Sequence, residues 1–103
     1  MAYKLLITKE ANNDINEIIG YIVNILKNPI AAGNLLDDIE KSYTVISDNP
    51  SAFSICNDSR LRNDGYRKIM VKNYIVFYKV NEEQKTVYIM RVIYGRRDYS
   101  KII

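Results

Sequence analysis

The stretch YIVFYKVNEEQKTVYIMRVIY, residues 74–94, decides the fold. Residues 74–80 are apolar on both faces apart from Lys79, the pattern of a central strand covered on one side and crowded on the other. Residues 81–85 form a polar hairpin loop, and 86–94 resume as a strand. Strict alternation would send Val87, Ile89, Arg91 and Ile93 to one face and Tyr88, Met90, Val92 and Tyr94 to the other. Upstream, 66–71 reads as a further strand, joined to the central one by the tight Lys72-Asn73 connection.

The N-terminal half carries a different period. Residues 3–7 form a short apolar strand closed by Thr8, whose hydroxyl suits a helix N-cap. From there Ala11, Ile15, Ile18, Ile22 and Ile25 follow steps of three and four, one apolar stripe along a helix. Glu10 and Asp14 stand near its start, where negative charge suits the helix dipole. Asn28-Pro29 then opens a second helix as cap and first residue. Its stripe is Leu35, Ile39, Tyr43 and Ile46, with Ala32 and Leu36 beside it. Asp48-Asn49-Pro50 ends it, because proline pushes the preceding residue out of the α region. Two helices joined by so short a break fold back as a hairpin. Residues 51–65, rich in Ser, Asn, Asp and Gly, read as loop. The order β-α-α-β-β-β predicts an α+β fold, a helical hairpin packed on a mostly antiparallel sheet, as a single domain over 1–103.

At 103 residues, with hydrophobic residues at 48% and charged ones at 26%, the composition is that of a globular domain rather than a disordered chain. No apolar run reaches the ~20 residues of a membrane span and no signal-peptide pattern opens the chain, so a cytoplasmic protein without a membrane partner is expected. The chain has no histidine, which removes Ser-His-Asp, Cys-His and histidine-pair nuclease chemistry. The one cysteine, Cys56, makes neither an intramolecular disulfide nor a usual zinc site. No metal and no cofactor is expected.

Charge is divided along the chain. Residues 1–58 carry four basic and eight acidic groups, net −4, and residues 59–103 carry eleven basic and four acidic ones, net +7. One cationic face results, suited to phosphate or to an acidic peptide. Its richest part is Tyr66-Arg67-Lys68, Lys72, Arg91 and Tyr94-Gly95-Arg96-Arg97-Asp98-Tyr99. Arginine and tyrosine together suit nucleic acid, since the guanidinium grips phosphate with two hydrogen bonds and tyrosine offers a flat stacking surface and a hydroxyl. Most of the nine tyrosines are read as packing residues. Arg96-Arg97 stands out because functional groups gather on loops at strand ends. The expected target-binding residues are Arg91, Tyr94, Arg96 and Lys72.

Several of these pieces occur together in one known family. They are Ala11-x-x-Asp14-Ile15-x-x-Ile18-x-x-Tyr21-Ile22, Asn28-Pro29-x-Ala31-Ala32, Pro50, Gly65-Tyr66-Arg67, the run from Asn73 through Val80, and Val92-Ile93-Tyr94-Gly95-Arg96-Arg97-Asp98-Tyr99. In this order, over essentially the whole chain, they resemble the RelE/ParE superfamily, the toxins of bacterial type II toxin–antitoxin modules. The resemblance implies a growth-arresting toxin silenced by a cognate antitoxin, whose C-terminal segment wraps over the toxin's apolar and basic surfaces. RelE-like members cut mRNA on the ribosome, and ParE-like members poison DNA gyrase without being enzymes. For RNA cleavage the resemblance nominates Arg97, Arg67, Lys68 and Tyr99 as catalytic. Ile75, however, stands where RelE-like toxins place a central-strand arginine. The helix signatures and Arg-Arg-Asp lean toward the gyrase-directed mode. The mRNA endonuclease is the alternative, and a non-toxic relative that only binds partners is the third reading.

Overall fold

The 74–94 hairpin forms as the sequence predicts, and the rest of the molecule is arranged about it. In the computed structural model, which describes residues 2–103, the elements are β1 (Lys4–Ile7), α1 (Lys9–Asn24), α2 (Pro29–Asp48), β2 (Ser54–Ile55), α3 (Ser59–Asn63), β3 (Arg67–Val71), β4 (Tyr74–Asn81), β5 (Thr86–Tyr94) and α4 (Tyr99–Ile102). The five strands form one sheet in the order β1-β5-β4-β3-β2. β1 runs parallel to β5, and every other pairing is antiparallel. The expected helical hairpin on a mostly antiparallel sheet is what the chain builds.

Both helices start where their caps predict. The Thr8 hydroxyl accepts the Ala11 N–H at 3.2 Å, and the Asn28 side chain accepts the Ala31 N–H at 3.1 Å, with Pro29 in the first turn. α1 and α2 bury Ala11, Ile22, Ala32, Leu35, Ile39 and Ile46 against Val71, Val76, Tyr78, Val87, Ile89 and Val92 of the sheet. Each large side chain so buried contributes roughly 1.5–3 kcal/mol. Ile25 departs from the expected stripe: α1 ends at Asn24, and Ile25 is 66% exposed.

The expected alternation of β5 fails halfway along. β4 and β5 pair Tyr78 with Ile89 and Phe77 with Arg91, so Met90 is an extra residue, a β-bulge. Val87 and Ile89 face the helices, and beyond the bulge Val92 joins them there. Ile93 instead packs on the outer face with Ile75 and Phe77. The bulge is a local offset between two strands, invisible to a count along one of them.

The outer face is covered by segments the sequence presents as loop. Between 51 and 65 a 3₁₀ turn (Pro50–Ala52), β2 and α3 all form. Asp58 caps α3 by accepting the Leu61 N–H at 3.1 Å. Leu61 and Cys56 are fully buried against Tyr66, Phe77 and Ile93, and Tyr99, Ile102 and Ile103 close the cluster from the C-terminus. Two or three apolar side chains among polar neighbours suffice here because the sheet supplies the rest of the core.

One buried hydrogen bond ties β4 to this loop region. The Tyr78 hydroxyl donates to the Pro50 carbonyl at 2.6 Å, and burial pushes its pKa up to about 12. Burial pushes the Tyr43 hydroxyl to about 12 as well. Unfolded tyrosine ionises near 10. Between these values the unfolded chain has released protons that the folded chain keeps, so stability present below pH ~10 is lost as pH rises through the folded pKa. Urea titrations at rising alkaline pH should show this fall, and Tyr78→Phe should make it shallower. At neutral pH the same substitution orphans the Pro50 carbonyl and should cost about 1–2 kcal/mol. An unchanged thermal midpoint in Tyr78→Phe would contradict the assignment.

Candidate target-binding surface

The strand ends are brought together by one close backbone approach. Lys72, at φ 53°, turns β3 into β4. The Asn73 carbonyl then accepts the Gly95 N–H at 2.8 Å. A side chain at position 95 would place its Cβ 3.2 Å from that carbonyl oxygen, so glycine fits the approach. Beyond it a turn forms in which the Arg97 N–H donates to the Tyr94 carbonyl at 3.0 Å and the Tyr99 N–H to the Arg97 carbonyl at 2.9 Å.

Arg96 and Arg97 are both exposed on this turn. Neither guanidinium has an ion-pair or hydrogen-bond partner among the described residues. Arg97 edges a groove of about 670 Å³ between α1 and the ends of β4 and β5, walled by Glu17, Tyr21, Leu26, Tyr74 and Tyr94. Tyr74 and Tyr94 meet edge to face at 5.6 Å. Tyr21 and Leu26 are 53% and 55% exposed, an apolar rim beside an uncommitted cation.

The other expected site residues are placed differently. Arg91 is held by Asp14: its Nε donates to Oδ2 at 2.7 Å and its Nη2 to Oδ1 at 2.9 Å. That fork leaves the Arg91 side chain 24% exposed and raises its pKa above the usual arginine value. Lys72 pairs with Asp38 of α2 at 3.2 Å. Arg67 lies opposite Tyr78 on the helix-facing side of the sheet and donates to the Phe53 carbonyl at 2.7 Å. Lys68 lies opposite Phe77 on the outer side, with its Nζ 6.0 Å from the Tyr99 ring. Tyr99 itself packs at 5.0 Å on Phe77.

The structure therefore gathers Tyr94 and Arg97 at the groove and Lys68 and Tyr99 on the outer face, with Arg67 on the opposite face of the sheet. Sequence reasoning missed Tyr21 and Leu26 as groove walls and Asp14 as the partner of Arg91. Asp14 was visible only as a charge suited to the helix dipole, and nothing along the chain links it to a residue 77 positions away. Cys56 is buried and its thiol is pushed up by desolvation. No three His, Cys, Asp or Glu side chains among the described residues gather as a metal site would require. No helix among them is long and apolar enough to cross a membrane.

The model of a family described as the ParE toxin of the type II toxin–antitoxin system parDE matches residues 5–99. The fold is also similar to solved structures. A chain of the chromosomal ParDE toxin–antitoxin system from P. aeruginosa superposes with a TM-score of 0.71 at 20% identity, over 90% of this chain and 96% of that one. A mutant of the E. coli toxin RelE in the free state gives 0.68 at 15% identity, over 99% and 93%. A chain of the RelBE2 toxin–antitoxin complex from Mycobacterium tuberculosis gives 0.65 at 19% identity, over 91% and 99%. No curated protein matches the chain in sequence.

The Asp14–Arg91 fork is testable by a double-mutant cycle. Arg91→Ala and Asp14→Ala should each destabilise by about 2–4 kcal/mol, because each leaves a mostly buried charge without its partner. The double variant should fall short of the sum by about 1–3 kcal/mol in urea unfolding. Strictly additive losses would show that the fork contributes no coupling.

Proposed function

This chain belongs to the ParE toxin family of type II toxin–antitoxin systems, and we propose that it arrests growth by docking on DNA gyrase through the turn carrying Arg96 and Arg97. The observation that carries this reading is the state of those two guanidinium groups. They project from a strand-end turn beside an aromatic groove, with no partner among the described residues. A docking surface needs that combination: free positive charge for carboxylates, next to apolar area for burial.

The dispersal of the nuclease candidates supports the same reading. A cleavage centre needs its groups within hydrogen-bond reach of one phosphate. Arg67 is committed to a backbone carbonyl on the helix-facing side, while Lys68 and Tyr99 lie on the outer side. The Lys68–Tyr99 proximity is the one feature that favours ribosome-dependent mRNA cleavage, and it is the second reading.

The partner that silences the toxin is a cognate antitoxin. Its chemistry follows from the surface it must cover. Tyr21, Ile25, Leu26 and Ile30 are all more than half exposed, and the cationic strand-end turn lies beside the groove that Tyr21 and Leu26 wall. An antitoxin segment with apolar residues and carboxylates satisfies both. The ParDE and RelBE2 chains similar in fold come from toxin–antitoxin systems.

Expression of the chain alone should arrest bacterial growth, and coexpression of the antitoxin should restore it. Purified protein should block gyrase supercoiling and leave mRNA uncut in a translation reaction. Arg97→Ala should reduce the arrest tenfold or more at unchanged thermal stability, since a lost charge-assisted contact costs about 1.5–3 kcal/mol. Arg97→Lys should largely restore docking, whereas transition-state stabilisation in RNA cleavage would need the planar fork. Full growth arrest by Arg97→Ala at the normal expression level would overturn the assignment of the turn.

A further inference from the structure

We propose that Arg60 and Arg91 are positioning residues, which hold the Arg96–Arg97 turn in place by clasping backbone carbonyls of the C-terminal segment. The proposal rests on the reading that this turn meets the target, and it concerns what keeps the turn in one geometry.

The turn is anchored at both ends. Upstream, the Gly95 N–H is tied to the Asn73 carbonyl at 2.8 Å. Downstream stands α4, four residues long, far below the ~12 residues at which a helix becomes marginally stable alone. The side chain of its cap residue Asp98 makes no hydrogen bond to the helix backbone. Instead the Asp98 carboxylate accepts from the Ser100 hydroxyl at 2.7 Å. The last carbonyls of any helix lack intrahelical donors. Here arginines supply them: Arg60 Nη2 donates to the Ser100 carbonyl, and Arg91 Nη1 reaches the Ile102 carbonyl at 3.5 Å.

Each clasp is fixed from behind. Arg60 stands on α3, which is pinned by fully buried Leu61 and the Asp58 cap. Arg91 is locked by Asp14 through its other nitrogens. Tyr99 on Phe77, with Ile102 and Ile103 against the outer cluster, supplies the apolar part of the hold. Arg97 is two residues from Tyr99, and their only tie within the turn is the Tyr99 N–H to Arg97 carbonyl bond. When the segment swings free, the turn loses its downstream anchor. Arg91 thus acts on the target at second hand.

Arg60 is the cleaner test, since Arg91 also pairs with Asp14. In Arg60→Ala of the full chain, amide hydrogen exchange at Arg97 and Tyr99 should accelerate at least tenfold. The Gly95 amide and the thermal midpoint should stay unchanged. Growth arrest should require at least tenfold more protein, and Arg60→Lys, which keeps one donor, should recover part of both effects. Unchanged exchange at Arg97 and Tyr99 would overturn the clasp. Faster exchange with full growth arrest would show that the clasp does not position the target contact. If Arg97→Ala also keeps full arrest, the target reading fails, and the exchange rates still decide whether Arg60 holds the turn.

Discussion

Beyond Ile89, β5 has no strand on its β1 side, and the backbone it exposes there must find other partners. β1 pairs with β5 only from Thr86 to Ile89. Past that point the Thr8 hydroxyl reaches the Ile89 and Met90 carbonyls at 2.7 and 3.1 Å, and Asp14 accepts the Val92 N–H at 3.0 Å. Two side chains from the first turns of α1 thus stand in for a missing strand. A buried backbone group left unpaired would cost about as much as a whole hydrogen bond. This constraint sets where α1 lies, and α1 in turn forms one wall of the groove beside Arg97. It also explains the bulge: the extra residue at Met90 lets Val92 stay in the core while Arg91 meets Asp14.

The same arrangement redistributes the charge that the sequence concentrates in residues 59–103. Lys72, Lys85, Arg91 and Lys101 form ion pairs with Asp38, Glu82, Asp14 and Asp98. Arg67 and Arg60 are committed to backbone carbonyls. Lys79 and Lys68 lie over Tyr66 and Tyr99 at 4.6 and 6.0 Å. The exposed pairs contribute little stability, at most about 1 kcal/mol each. Their effect on function is larger, because they remove cations from the pool open to a partner. Of the basic groups in that stretch, Arg62, Arg96 and Arg97 keep no partner among the described residues, and only the last two stand side by side, at the strand ends, where they concentrate free charge.

Reading order along the chain explains what the sequence revealed. The two helices, their Thr8 and Asn28 caps, and four of the five strands follow from local period and cap chemistry, and each appears within a residue or two of its expected bounds. Arg96 and Arg97 stand out in the sequence by their place just past a strand end, and both are exposed. What escaped was decided by distant partners. β2 and α3 exist because Cys56 and Leu61 find Phe77 and Ile93 across the sheet. The bulge depends on the offset between two strands, and the fate of Arg91 depends on Asp14. Lys72 and Arg67 look like free cations in sequence because Asp38 and the Phe53 carbonyl are brought to them only by folding.

A protein of this size has few ways to hold a flexible arginine turn in one shape. The outer sheet face is closed by two short helices, α3 through Leu61 and the C-terminal segment through Tyr99, Ile102 and Ile103. That economy makes the C-terminal residues serve two purposes at once. Ile102 and Ile103 complete the outer core, and through Tyr99 they fix the far end of the turn. Docking by charge and shape gains from such rigidity, because a preordered surface loses less side-chain and backbone freedom when it binds. Catalysis would need a further condition, the convergence of acid and base on one phosphate, and the sheet keeps Arg67 and Lys68 on opposite faces. Adjacent residues of one strand cannot share a face unless a bulge intervenes. The bulge in this sheet lies on β5, and the pairing of Arg67 with Tyr78 and Lys68 with Phe77 is regular.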